Sequence, residues 1–231
     1  MKVALLLSGQ PRNIEQAFNS IKRCLIDSNN PDIFIHTWLD LENDSHKELH
    51  NLILNLYNPK RIKIEKQKKF LNNNLELSRI LSSHAIGYTK ESFIEMIYSS
   101  WYSNHQSNLL KEEYRLEHDF EYDYVIRARF DIYYNNPLIC SNYDNNKLYT
   151  TPRVNLPPEM IDDRFCFGSN KLMNIYCGGF NLIDYLIEYR NTLDGIFCGE
   201  TIVYEIFRIF NIPNEITSDV HIERIHFDGN L

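Results

Sequence analysis

The chain has 231 residues, 43% of them hydrophobic and 24% charged, with a formal net charge of −7. That length fits one large domain with a substantial core. The acidic balance argues against a general nucleic-acid binder, because phosphate backbones are held by many Lys and Arg side chains. An aromatic content of 13% indicates broad packed or stacking surfaces rather than disorder. The cysteines Cys24, Cys140, Cys166, Cys177 and Cys198 are widely spaced, include no Cys-x-x-Cys pair and predict a reduced, cytoplasmic protein. The apolar run Val3 to Leu7 is too short for a signal-peptide core or a membrane span, so no transmembrane segment is expected. Peripheral association with a membrane is compatible with the sequence.

In chain order, Val3 to Leu7 predicts a strand, the turn Ser8-Gly9-Gln10-Pro11-Arg12 follows, and Ile14, Ala17, Phe18, Ile21 and Leu25 recur at helical spacing. Asp32 to His36 predicts a second strand, and Leu49, Leu52, Ile53 and Leu56 a helix ending near Asn58-Pro59. Arg61 to Glu65 is a third strand, and residues 66–87 read as a polar connecting region. A long or broken helix is expected from Thr89, its N-cap, to about His118, with Phe93, Met96, Ile97, Trp101, Leu109 and Leu110 on its buried side. Strands are predicted at Tyr124 to Arg129, Leu148 to Thr150 and Arg164 to Phe167, and helices at Lys171 to Arg190 and Glu200 to Phe210. Alternating strands and helices with continuous apolar strands argue for an α/β fold with a mostly parallel sheet.

The segment Tyr122 to Asp131 carries the most chemistry, because period two puts Arg127, Arg129 and Asp131 on one side of an apolar strand. Three charged groups there are costly in a core, so the strand end is expected to open on a charged ligand. A phosphate suits the arginines, which match its oxygens in bidentate fashion, and a lone carboxylate suits a magnesium or manganese ion shared with phosphates. The alternative is a structural Arg–Asp ion pair at a sheet edge. No Gly-x-Gly-x-x-Gly or Walker loop is present.

The run Tyr-Asp-x-Val-Ile followed by a polar triplet ending in Asp131 resembles the strand and Asp-x-Asp motif of GT-A glycosyltransferases. It is more similar to bacterial and viral polysaccharide glycosyltransferases with Arg-x-Arg-x-Asp at that place. The stretches Leu7 to Arg12, Asp32 to Trp38, Trp101-Tyr102-Ser103 and Asp163 to Ser169 carry the same resemblance. It implies a single GT-A-like (Rossmann-like) domain over residues 1–231, with a nucleotide-binding half (1–131), an acceptor- and sugar-binding half (132–231) and a mixed second half of the fold. It further implies that Ser8, Gly9, Arg12, His36 and Thr37 contact the nucleotide and that Arg127 and Arg129 meet the diphosphate. Asp131 and the late His226 would then hold Mn2+ or Mg2+. Arg129 stands where the first Asp of Asp-x-Asp would be, so direct neutralisation of the diphosphate by Arg129 is the alternative to a cation.

The implied partners are a nucleoside-diphosphate sugar as donor and a glycan or glycolipid acceptor. Taking a proton from the acceptor hydroxyl needs a carboxylate, for which Asp162, Asp163 and Glu200 are candidates. Glu200 opens an apolar-periodic helix, similar in position to the catalytic acid segment of inverting GT-A enzymes, although a first-turn Glu is also favoured by the helix dipole alone. Asp163 is a candidate for base or for the donor sugar's hydroxyls. Two other readings stay open: a metal-dependent nucleotidyltransferase, and a non-catalytic nucleotide-sugar or glycan-binding module.

Overall fold

The computed structural model describes residues 1–71, 89–153, 156–189 and 197–225. The chain begins with β1 (Val3–Gly9), α1 (Ile14–Ile21), a π-helical turn (Lys22–Ile26), α2 (Asp27–Asn29), β2 (Asp32–Trp38), α3 (Asp44–Tyr57) and β3 (Arg61–Glu65). α4 (Lys90–Glu117) leads back to β4 (Tyr124–Ala128), followed by β5 (Ile132–Tyr134), a 3-10 turn (Cys140–Asn142), β6 (Leu148–Thr150) and β7 (Cys166–Gly168). Then come α5 (Asn170–Cys177), a 3-10 segment (Gly178–Leu182), α6 (Ile183–Tyr189), α7 (Gly199–Ile209), β8 (Asn214–Ile216) and β9 (Ile222–Arg224).

Seven strands form one sheet in the order β3-β2-β1-β4-β7-β6-β8, and β5 pairs with β9 in a second, two-stranded sheet. β1 to β4 are mutually parallel, β7 runs antiparallel to both β4 and β6, and β6 is parallel to β8. The chain is thus α/β with a central, mostly parallel sheet flanked by helices. Strands from either side of residue 131 belong to that one sheet.

The central strands are covered on both faces, which is why β1 shows no polar alternation. Val3, Leu5 and Leu7 pack with α1 and α3 residues such as Ile21 and Ile53, whereas Ala4 and Leu6 pack with Ile97 and Trp101 of α4. Asn30 and Asn58 take left-handed backbone at the ends of α2 and α3, a conformation that Asn tolerates beside helix ends. Thr89 caps α4 as expected, its hydroxyl accepting from the Ser92 N–H at 3.2 Å.

Several expectations need correction. Met96 and Leu109 of α4 are exposed, because the buried stripe runs through Ile94, Ile97, Trp101, Asn104, Asn108 and Lys111. Its later turns are polar: the buried Lys111 Nζ donates to Asn170 Oδ1 and, at 2.9 Å, to Asn174 Oδ1, which ties α4 to α5. The helix expected from Lys171 breaks into α5 and α6 around Gly178-Gly179, and Arg190 lies outside the described residues. The strand expected to reach Arg129 ends at Ala128. Of the connecting region 66–87, residues 72–87 lie outside the described residues. Among the described residues no helix is long and apolar enough to cross a membrane, and the five cysteines are free thiols.

Strand order turns from β1 to β2 and β3 on one side and to β4 on the other, so the topological switch point lies between β1 and β4. In open α/β sheets ligands bind outside the carboxyl ends of strands at such a point.

Candidate active site at the carboxyl ends of β1 and β4

β1 ends on Gly9, whose φ of +107° only glycine adopts without strain. Both its backbone groups are held. The Gly9 N–H donates to Ser103 Oγ of α4 at 2.7 Å, and Thr37 Oγ1 of β2 donates to the Gly9 carbonyl at 2.8 Å. Among the described residues no atom lies within 4 Å of where a Gly9 side chain would start, so the turn faces open space among them. Gln10 and Arg12 are exposed beyond it, and Ser8 is buried with its hydroxyl unpartnered among the described residues. His36 and Thr37, expected at the nucleotide, are fully buried behind Gly9, Thr37 bonded to the Gly9 carbonyl and His36 to Ser103 of α4.

His36 sits between two partners: Nδ1 is 2.7 Å from Ser103 Oγ, and Nε2 is 3.0 Å from Glu65 Oε2. Burial lowers the His36 pKa from 6.5 to about 4, against the opposing pull of Glu65. Glu65 falls to about 2, because hydrogen bonds from Lys68, His36 and Tyr102 outweigh its burial. His36 is therefore neutral at neutral pH beside an ionised carboxylate, which fixes the tautomer: Nε2–H donates to Glu65 and Nδ1 accepts from the Ser103 hydroxyl. A histidine with a depressed folded-state pKa resists protonation that the unfolded chain accepts, so stability declines as pH falls from 6.5 to about 4. The expected loss over that window is roughly 3 kcal/mol. Denaturant titrations at stepped pH measure it, and a flat profile above pH 5 contradicts it.

β4 brings its charged residues to the same end of the sheet, since Leu7 pairs with Ala128 in parallel register. Beyond Ala128 the strand alternation stops, and Arg127 parts from Arg129 and Asp131. Arg127 shares the face of Val125, is 3% exposed under α5, and donates to the Asp163 carbonyl while its Nε has no partner among the described residues. Arg129 instead meets Asp131 in fork-to-fork fashion, Nε to Oδ1 at 2.8 Å and Nη2 to Oδ2 at 2.7 Å. A second guanidinium, Arg224 of β9, stands 3.5 Å from Asp131 Oδ2. Burial tends to raise the Asp131 pKa, but the Arg129 hydrogen bonds and the charges of Arg129 and Arg224 outweigh it and hold the carboxyl below its ordinary value.

Ile225 ties this cluster to the first loop. Its N–H donates to the Asp131 carbonyl at 3.0 Å, and its own carbonyl accepts from Asn13 Nδ2 at 3.2 Å. α1 fastens the other side, with Ser20 Oγ accepting from the Tyr134 N–H at 3.2 Å. The Ser8 to Arg12 loop and the strand end carrying Asp131 thus leave the sheet at the same end, with Ile225 bonded to Asp131 and to Asn13 just after the loop.

The acidic candidates divide by environment. Asp162 is enclosed, its two oxygens filled by the Arg164 guanidinium, the Arg164 N–H and the Thr151 hydroxyl. Asp163, by contrast, is half-buried, accepts no side-chain hydrogen bond among the described residues, and lies in the electrostatic reach of Arg129 and Arg164. Its carboxylate packs on Gly199 at the start of α7, where a Cβ would come within 2.1 Å of Oδ2. Glu200, next in α7, is paired with Arg153. His226 lies outside the described residues. No group of three or more His, Cys, Asp or Glu side chains among the described residues is arranged to hold a metal ion. A divalent cation at Asp131 would meet two guanidinium groups, so the described side chains there do not fit one. Sequence reasoning missed Arg224 and Arg164, and it singled out the stretch holding Ser103 without seeing that Ser103 holds Gly9.

The family model that matches this chain covers residues 1–192 and is described as a domain of unknown function (DUF7796). No curated protein matches the sequence. Among solved structures, the chain is similar to a glycosyltransferase involved in the glycosylation of the major capsid of PBCV-1, at 14% identity over 94% of this chain and 82% of that one, with a TM-score of 0.41. At that distance the likeness assigns no activity and no residue role.

Proposed function

The chain belongs to the DUF7796 family, a domain of unknown function, and from the geometry of its site we propose that it is a glycosyltransferase that uses a nucleoside-diphosphate sugar. The observation that carries this reading is the pair of guanidiniums, Arg129 and Arg224, converging on Asp131 beside the open Gly9 turn. The Arg129–Asp131–Arg224 cluster has one more cation than anion, and guanidiniums match phosphate oxygens bidentately. The motif resemblance around Arg127, Arg129 and Asp131 points the same way, with a sugar donor and a glycan or glycolipid acceptor.

In this reading the acceptor hydroxyl attacks the anomeric carbon while the bond to the diphosphate breaks. Arg129 and Arg224 stabilise the charge that develops on the departing diphosphate. The hydroxyl proton passes to Asp163, the acidic candidate whose carboxylate is free of hydrogen bonds among the described residues, whereas Arg164 holds Asp162 and Arg153 holds Glu200. The guanidiniums take the part of a divalent cation, so turnover is expected to persist in EDTA. Ser8 and Arg12 border the nucleotide, and Gly9 lets it approach the backbone.

The test is transfer from a panel of nucleoside-diphosphate sugars, scored by released nucleoside diphosphate and by glycosylated product, with EDTA and with manganese. A specific donor is expected to stabilise the fold by about 2.7 kcal/mol at a hundredfold excess over its dissociation constant. Stabilisation by a donor without product identifies a binding module instead, and release of pyrophosphate from nucleoside triphosphates identifies a nucleotidyltransferase. No stabilisation by any member of the panel removes the proposal.

A further inference from the structure

We propose that His36 is a positioning residue that acts through Ser103 to hold the Gly9 turn in its donor-binding conformation, an inference that rests on the glycosyltransferase reading only for its link to the donor. The arrangement Ser103–His36–Glu65 has the outline of a nucleophilic triad, with hydroxyl, imidazole and carboxylate in hydrogen-bond sequence at 2.7 and 3.0 Å. It cannot act as one. Ser103 and His36 are both 0% exposed, and the Ser103 oxygen already accepts from the Gly9 N–H. An activated serine needs an open path to its substrate.

What the chain of bonds does instead is fix a direction. Glu65 also accepts from Tyr102 at 2.9 Å and pairs with Lys68, so it is a fixed acceptor for the imidazole Nε2–H. That commits Nδ1 to accept, so the Ser103 proton points to His36 and its lone pair is left for Gly9. The His36 carbonyl, 3.2 Å from Ser103 Oγ, is the competing acceptor and the longer contact. Thr37 holds the Gly9 carbonyl from the same strand. The turn is thereby set before any ligand arrives, which removes an ordering cost from binding.

The experiment compares amide isosteres at position 36. His36→Asn can present a carbonyl oxygen where Nδ1 stood, so it keeps the acceptor for Ser103. His36→Gln reaches instead to the Nε2 position and loses it. Two readouts are taken: hydrogen exchange at the Gly9 amide in the ligand-free protein, and the donor KM and kcat of transfer. His36→Gln and Ser103→Ala are expected to speed Gly9 exchange and raise donor KM about tenfold with kcat nearly unchanged, while His36→Asn stays close to the parent. Glu65→Met, at a partly exposed position, removes the acceptor of the His36 Nε2–H while leaving Ser103 and His36 in place, and is expected to show the same two effects at smaller size. Unchanged Gly9 exchange in His36→Gln, Ser103→Ala and Glu65→Met overturns the relay. Faster exchange with unaltered donor KM keeps the relay and overturns its role in donor binding. Absence of transfer in the parent protein, with the exchange pattern intact, strikes the functional reading alone.

Discussion

Arg129→Ala is expected to lower the rate of sugar transfer by about 10²–10³-fold, the loss found when one preorganised donor to a developing anion is removed. The protein should survive the change. Asp131 is 5% exposed and would be costly to leave unpaired, but Arg224 remains 3.5 Å from its Oδ2 and inherits the ion pair. Asp131→Asn tests the same pair from the other side. Arg129 then loses its anchor but is a quarter exposed and can stay hydrated, so the expected outcome is weaker donor binding, by about tenfold, rather than unfolding. EDTA should leave the parent rate and both variant rates unchanged, since the arginines supply the positive charge. Initial rates and melting temperatures of both variants, with EDTA and with manganese, separate the outcomes. A stable Arg129→Ala protein at full rate would remove the guanidinium pair from the mechanism. Metal-dependent activity lost in Asp131→Asn would put a cation where the arginine is proposed to act.

How much of this site could be read from the sequence depends on how local its cause is. Val3 to Leu7 and the stripe Ile14, Ala17, Ile21 and Leu25 carry their fold in their own spacing, and they became β1, α1 and the turn after it. The same logic failed at Arg127. Alternation assumes a strand that continues, but β4 stops at Ala128, and Arg127 turns under α5 with Tyr176 and Cys177 in its electrostatic reach. A buried arginine with one carbonyl partner has no sequence signature. The second half was legible only in part: Leu148 to Thr150 became β6 and Arg164 to Phe167 overlaps β7, but β5, β8 and β9, each three residues long, carry too little pattern for period two to speak. Arg224 reaches Asp131 only because β9 pairs with β5 across about ninety residues of chain. His36 lies at the carboxyl end of β2 as expected, yet only the packing of β2 against α4 and β3 reveals its bonds to Ser103 and Glu65.

Asp162 and Asp163 are neighbours with opposite expected phenotypes, and the contrast tests the assignment of the carboxylates. The Asp162 side chain is 0% exposed and Arg164 only 18%, so Asp162→Asn removes one half of an enclosed ion pair and strands the guanidinium beside Arg129. Breaking such pairs costs on the order of 3–5 kcal/mol, and the partial exposure of Arg164 sets the expectation at the lower end. For a chain of this length that corresponds to a fall in melting temperature of roughly 6–12 °C. Asp163→Asn breaks no hydrogen bond of its carboxylate among the described residues, so its melting temperature should stay within about 2 °C of the parent. Its effect belongs in turnover. If Asp163 takes the acceptor proton, kcat falls by about 10²–10⁴-fold with donor KM unchanged, because the loss is confined to proton transfer. If it holds the donor sugar's hydroxyls, donor KM rises and kcat changes little. Glu200→Gln is the control, since pairing with Arg153 at the first turn of α7 gives Glu200 a structural reason to be there. A kcat collapse in Glu200→Gln with full activity in Asp163→Asn would move the base to Glu200 at the start of α7 and return Asp163 to packing against Gly199.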